Sequence, residues 1–464
     1  MSAADDSEKR ESGLRRSLGT AQIVMIGLGG SIGTGLFLGS GLAVGYAGPA
    51  VIVSYLLAAF VALVMVFSLS EMAVVHPTAG SLGTYAEIYL NPWAGFLVRY
   101  TYWVAQVIAV GGEAVAAGLY MQYWFPGVPV WMWALGLCVV LLYFNSRSVG
   151  NFGTLESWLA LIKVVAIILF IILGLAAIAG FGHRPAVGLH NLTGLPGGFL
   201  PKGMSGLWMA VIVGIFSFYG IEVIAVTSGE TKNPEVTIPA ALRTMLLRLF
   251  LFYVLAIAVI VTIIPWTDTG VKVVAQSPFV TVFQHSGIRH AAGIMNFVVI
   301  SAALSSMNTD IYLCSRMLFS LSRSGHAPRR LGSLSGRGSP VAAILVSGVF
   351  VLIAAAASMF TPNAYADLFG VALFAAIVVW MFIFASHLSF RRRHAGVALP
   401  VCMPLFPWLQ YAGLAMLAAI LVTMGLNPTF DVSWLYGVPW IVLISLAYFV
   451  RQARQRRQTL ESDR

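Results

Sequence analysis

Two glycine-rich interruptions of apolar sequence hold the residue types that could do chemistry in this chain. The first is Gly27-Leu28-Gly29-Gly30-Ser31-Ile32-Gly33-Thr34-Gly35. Each glycine weakens a helix by about 1 kcal/mol relative to alanine, so a helical run is expected to break here. A break frees backbone N–H groups at the start of the following helix, and that partly positive end can hold a carboxylate. Small residues at this spacing also allow close helix packing, so that reading stands beside the first. The second interruption is Gly214-Ile215-Phe216-Ser217-Phe218-Tyr219-Gly220-Ile221-Glu222. A carboxylate at membrane depth costs roughly 2.5–3.5 kcal/mol on insertion scales. Glu222 therefore reads either as a binding group or as a hydrogen-bond acceptor that holds the unwound segment together. Two more ionisable residues stand in apolar surroundings, Glu113 and Lys163. Glu113 shares a helical face with Ala105, Ala109 and Val110 at steps of three or four residues. Lys163, within LALIKVVAIILF, serves either as a group that exchanges a proton or as a charged tether to neighbouring backbone carbonyls.

Other chemistries fail on composition and spacing. Gly29 to Gly33 matches G-x-S-x-G, but a nucleophile elbow needs a strand, a turn and a triad base. No histidine lies mid-span: His183, His190, His285 and His290 fall in outer loops, and His76, His326, His387 and His394 near the inner face. G-x-G-x-x-G is not met, because Ile32 stands at its last position. Cys138, Cys314 and Cys402 are far apart and give neither a disulfide framework nor metal-ligand spacing, and they read as small apolar helix residues. No enzyme, metal site or cofactor is expected.

The elements that must position these residues are membrane helices. The 464 residues are 59% hydrophobic and only 9% charged, against about 25% charged in soluble domains. Apolar runs bounded by Gly, Pro and charges predict twelve spans, at 21–44, 48–74, 92–122, 128–146, 152–180, 204–229, 241–265, 291–322, 340–360, 364–389, 404–425 and 434–452. The first run is too long for the apolar core of a cleavable signal peptide and leads directly into further spans. The net charge of +10 follows membrane topology rather than nucleic-acid binding. Of the 27 Lys and Arg residues, Arg184, Lys202, Lys272 and Arg289 fall on the outer side and Lys163 within a span. All the others fall on the side of both termini, among them Lys9, Arg10, Arg15, Arg16, Arg391, Arg392, Arg393, Arg451, Arg454, Arg456 and Arg457, which makes that side cytoplasmic.

The domain organisation follows from this count. A cytoplasmic tail (1–20) precedes five spans (21–180), and an outer loop (181–203) leads to five more (204–389). Two further helices (404–452) and a cytoplasmic tail (453–464) complete the chain. An odd number of spans per set makes the two sets enter the membrane in opposite orientations, as inverted-repeat transporters require. The segment 76–90 is too short and polar to span, and reads as an interfacial or re-entrant element.

Five stretches carry a family resemblance: 26–41 (IGLGGSIGTGLFLGSG), 70–86 (SEMAVVHPTAGSLGTYA), 156–164 (ESWLALIKV), 220–241 (GIEVIAVTSGETKNPEVTIPAA) and 305–321 (SSMNTDIYLCSRMLFSL). They resemble the amino acid–polyamine–organocation superfamily, specifically its bacterial amino acid transporter permeases. The resemblance implies an all-α integral membrane protein with the five-plus-five inverted repeat of the leucine-transporter type, its helices 1 and 6 discontinuous. It implies that Thr34 and Gly35, with room left by Gly33, bind a substrate carboxylate, and that the carbonyls of Ser31, Phe216 and Tyr219 receive the ammonium. Phe216 would be an outer gate, Ala105, Val110 and Glu113 would line the side-chain part of the pocket, and Glu222 matches the family's span-6 glutamate. Lys163 matches a lysine that fills the place of a sodium ion in sodium-independent relatives and bridges spans 1 and 8.

The expected function is therefore secondary active uptake of a neutral amino acid with a proton, in the cytoplasmic membrane. Exchange of amino acids, or carriage of a cationic one, is the alternative. The short tails disfavour a nutrient sensor built on the same scaffold.

Overall fold

The computed structural model describes residues 18–147, 149–181, 186–268, 278–280, 282, 290–336, 338–397 and 399–462. Lys9, Arg10, Arg15, Arg16, His183, Arg184, Lys272, His285 and Arg289, and most of the N-terminal tail, lie outside the described residues. Among the described residues there is no β-strand. One isolated parallel bridge joins Leu18 to Thr231, with Leu18 N–H donating to Glu230 C=O at 3.1 Å.

Helix occupies all twelve apolar runs, but not as twelve uniform rods. The first run is split into α1 (Thr20–Ser31), α2 (Thr34–Phe37) and α3 (Gly39–Ala47), followed by α4 (Val51–Val75). The interfacial segment forms α5 (Ser81–Tyr89), and α6 (Pro92–Met121), α7 (Val130–Arg147) and α8 (Val149–Ala179) follow. Run 204–229 is split into α9 (Gly203–Ser217) and α10 (Val223–Thr227). Run 241–265 begins early as α11 (Pro234–Leu249), passes through a π-helical turn at Phe250–Leu255 and ends as α12 (Ala256–Ile263). The remaining long helices are α13 (Ala291–Arg323), α14 (Val341–Ala356), α15 (Ala364–Arg393), α16 (Trp408–Leu426) and α17 (Asp431–Ser462). Among the described residues, eight helical stretches are long and apolar enough to cross a membrane, and four apolar helices are shorter. The difference from a count of twelve has three sources: the breaks shorten Thr20–Ser31 and Gly203–Ser217, Val130–Ser146 and Phe250–Ile263 are themselves short, and a helical turn at Gly48–Ala50 joins two runs into Thr34–Val75.

Burial separates centre from periphery. The apolar windows of α13 and α6 are 89% and 78% buried, against 17% for the last helix, so α6 and α13 form the centre of the bundle and pack on each other. The outer helices expose Trp158, Ile353 and Leu435. Such apolar surface suits hydrocarbon and would be a liability in water.

Some charges assigned by sequence to the cytoplasmic side are inside the protein instead. Arg99 and Arg316 are 1% and 2% exposed. The Arg99 guanidinium donates to Glu87 at 2.7 Å, to Thr84 at 3.0 Å and to Ser320 at 3.0 Å. Arg316 donates to the fully buried Glu230 at 2.9 Å and lies 3.8 Å from the Tyr312 ring. They face protein because each finds a carboxylate on another segment, half-buried at Glu87 and fully buried at Glu230, which composition does not reveal. Cys402 also departs from expectation, standing exposed in a loop before α16, while Cys138 and Cys314 are buried.

Removing one partner of a buried ion pair typically costs about 3–5 kcal/mol, because the other charge is left uncompensated. Arg316→Met is therefore expected to lower the unfolding temperature in detergent, and Arg316→Met with Glu230→Gln to recover most of the loss. Thermal unfolding followed by tryptophan fluorescence checks both. Equal losses in the single and double variants would show that the pair is not the source.

Candidate functional site

The two breaks lie side by side. α1 ends at Ser31, Ile32 and Gly33 leave helical geometry, and α2 begins at Thr34 with Gly33 as its cap. In the second break, Gly220 takes a φ of +95°, a conformation that side-chain-bearing residues rarely adopt. A Cβ there would lie 2.5 Å from the Gly30 carbonyl oxygen, so glycine also permits the close approach of the two unwound segments. The Ser217 hydroxyl stitches them together, donating to the Gly35 carbonyl at 2.8 Å and lying 3.0 Å from the Tyr55 hydroxyl.

Unwinding α1 orphans carbonyls, and a lysine collects them. Lys163 of α8 is fully buried, and its Nζ donates to the carbonyls of Gly29 at 2.5 Å and Ile32 at 2.8 Å. Tyr253, in the π-helical turn, donates its hydroxyl to the Ser31 carbonyl. Glu156 lies two turns before Lys163 on the same helix and is also fully buried. It accepts hydrogen bonds from the Ser305 hydroxyl and, at 2.9 Å, from the Asn308 amide of α13. Lys163 thus holds the first break, while the link from α8 to α13 runs through Glu156.

The freed N–H of Thr34 is already occupied by a carboxylate of the chain itself. It donates to both oxygens of Glu113, at 3.0 and 3.1 Å. Gly33 makes room for this, since a Cβ there would lie 2.4 Å from Glu113 Oε1. Around the contact is a cavity with only about 10 Å³ available to a water-sized centre, roughly one water. Phe216 closes one side, its ring 4.1 Å from that of Phe369.

Of the residues singled out by sequence, Ser31, Gly33, Gly35, Glu113, Phe216 and Tyr219 line this cavity, and Thr34 reaches it through its N–H. The Ser31 carbonyl, expected to receive an ammonium, already accepts the Tyr253 hydroxyl, and the Phe216 carbonyl accepts the Tyr219 N–H at 2.9 Å. Ala105 and Val110 are buried elsewhere; α6 faces the cavity with Ala109 and Glu113, its next turns along that face. Glu222 does not line the cavity either. It turns back on its own segment and accepts the Gly220 N–H at 3.1 Å, the structural alternative in the sequence reading. Lys163 sits behind the break and not in the cavity wall.

Sequence reasoning did not single out Gly30, Ser217, Ser306 and Asp310 as lining residues, nor Glu156 as a link. Asp310 and Glu156 met the criterion applied to Glu113, a carboxylate within an apolar run, and both lie in the family-like stretches. A larger cavity of about 550 Å³ lies between α6, α15 and α17, away from the breaks, and is almost wholly apolar.

The amino acid permease family model matches residues 22–461. The chain is 41% identical over 447 residues to the gamma-aminobutyric acid permease of Bacillus subtilis, covering 95% of this chain and 94% of that protein. It is 37% identical over 444 residues to the aromatic amino acid transport protein AroP of Escherichia coli K12, covering 95% and 96%. An uncharacterized amino acid permease of Bacillus subtilis, YtnA, is 38% identical over 463 residues, covering 98% and 99%.

Lys163→Met removes the donor to two buried carbonyls, each worth about 1–3 kcal/mol when left unpaired. Its unfolding temperature is expected to fall by several degrees, with loss of substrate uptake. An unchanged unfolding temperature would show that the first break does not depend on this lysine.

Proposed function

Because the chain belongs to the amino acid permease family of the amino acid–polyamine–organocation superfamily, we propose that it is a secondary active carrier that takes up a net-neutral amino acid together with a proton. The family consists of transporters and not of enzymes, and the chain is a multi-pass membrane protein. The proposed frame is twelve spans in a five-plus-five inverted repeat, both termini in the cytoplasm. The paired breaks in the two halves support the repeat. The arginines at 451, 454, 456 and 457, which end α17, support the orientation.

The observation that carries the proposal is the Glu113 carboxylate on the Thr34 N–H. A substrate carboxylate needs the same donor, so Glu113 must leave before it binds. Protonation removes the charge that the N–H holds and lets Glu113 turn away, which links proton uptake to substrate uptake. Lys163 keeps the fixed positive charge that neighbours the site, so sodium is not required. Phe216 moves to admit the substrate and closes over it. The relatives named for gamma-aminobutyric acid and for aromatic amino acids support a substrate with one carboxylate, one ammonium and no net charge.

Proteoliposomes without internal substrate test this reading, with labelled phenylalanine and 4-aminobutanoate as probes. Wild type should accumulate one or both under an inwardly directed proton gradient without sodium, and a protonophore should abolish accumulation. Glu113→Gln mimics the protonated state, so it should retain substrate binding and equilibrating exchange but lose gradient-driven accumulation. Sodium-dependent uptake, uptake only by exchange, or undiminished proton-driven accumulation by Glu113→Gln would refute the proposal.

A further inference from the structure

One buried carboxyl group in this region is not explained by the breaks. Asp310 of α13 is 3% exposed and lines the small cavity beside Glu113, Ser31, Gly35 and Tyr219. Every other carboxylate at the breaks has a donor: Glu113 has the Thr34 N–H, Glu156 has Ser305 and Asn308, and Glu222 has the Gly220 N–H. No hydrogen bond or ion pair reaches the Asp310 carboxylate from any described residue. The hydroxyl of Tyr219, which also lines the cavity, is buried without a hydrogen-bond partner among the described residues. A buried carboxylate is costly to keep ionised without a partner. Asp310 must therefore either hold a proton or be paired by a cation or strong donor that enters the cavity.

We propose that Asp310 is the counter-ion of the substrate's ammonium group, and that it makes this carrier select amines with a carboxylate over plain carboxylic acids. The inference rests on the transport reading above and adds a specificity-determining residue to it. The cavity offers both kinds of partner that an amino acid needs. The Thr34 N–H holds a carboxylate beside it. Asp310 lines the same cavity, one helical turn beyond Ser306, which itself flanks Gly33. The backbone carbonyls expected to take the ammonium already accept hydrogen bonds at Ser31 and Phe216. A charged acceptor adds what those carbonyls lack, since a hydrogen bond between ionised groups is about twice as strong as a neutral one. A deaminated acid would leave Asp310 desolvated and unpaired, and sites built to pair a buried polar group reject ligands that lack the mate.

The test compares wild type, Asp310→Asn and Asp310→Glu, purified in detergent. The probes are phenylalanine with 3-phenylpropanoate and 4-aminobutanoate with butanoate, competed against whichever labelled amino acid the wild type binds. Wild type should prefer the amine by about tenfold or more. In Asp310→Asn that preference should collapse towards one, while Asp310→Glu keeps part of it. Without ligand, Asp310→Asn should unfold at or above the wild-type temperature, because a buried carboxyl group without a partner has been removed. That sign separates ligand recognition from a structural role. Two results would overturn the inference: an undiminished amine preference in Asp310→Asn, or a lowered unfolding temperature with equal loss of amines and deaminated acids. If the wild type binds no amino acid at all, the transport reading falls and this inference with it.

Discussion

An interrupted helix in hydrocarbon must have each freed backbone group paired by the protein, and that constraint organises everything around residues 29–35. Water cannot do the pairing at membrane depth, and each unpaired group costs several kcal/mol. The chain answers with side chains from four other segments. Lys163 takes the carbonyls of Gly29 and Ile32, and Tyr253 takes that of Ser31. Ser217 takes the carbonyl of Gly35, and Glu113 takes the N–H of Thr34. Because these partners come from α8, the π-helical turn, α9 and α6, the break cannot exist until the bundle is assembled around it.

The partners differ in how replaceable they are. A lysine holding two carbonyls is a permanent fixture, as no substrate atom could take its place as donor to both. A carboxylate on one N–H is different, because a substrate carboxylate offers the same group. In the proposed uptake, structure and binding use the same backbone feature with opposite requirements. The carbonyl end of the break stays satisfied by the protein, while its N–H end changes partner. Glu113 and Phe216 both line the small cavity that remains beside it.

Buried charge elsewhere serves assembly. Arg99 with Glu87, and Arg316 with Glu230, join helices to the segments beside them. Glu230 also ties the chain entry to this region, since its carbonyl accepts the Leu18 N–H. Glu71 accepts from His387 at 2.9 Å and from the Met403 N–H, which docks the segment before α16 onto α4 and α15. Such pairs specify which helices meet, because a wrong neighbour would leave a charge stranded.

The residue sequence by itself determined the class of protein, the extent of the apolar runs and the two breaks. These depend on local quantities: the length of hydrophobic runs, glycine's weak helix propensity and the spacing of charges. It also marked Glu113, Lys163 and Glu222 as costly and therefore purposeful. Which purpose each serves was a tertiary matter. Glu222 pairs within its own break, Glu113 reaches across 79 positions to Thr34, and Lys163 reaches across 131 to Ile32. Arg99 and Arg316 look like loop-flanking charges in sequence and prove buried, because their carboxylates lie on other segments. Asp310 carries the same sequence signal as Glu113, and only the packed structure shows that one has a hydrogen-bond partner and the other has none among the described residues. A hydrogen bond depends on atoms within about 3 Å, and chain positions far apart are brought that close only when the helices pack.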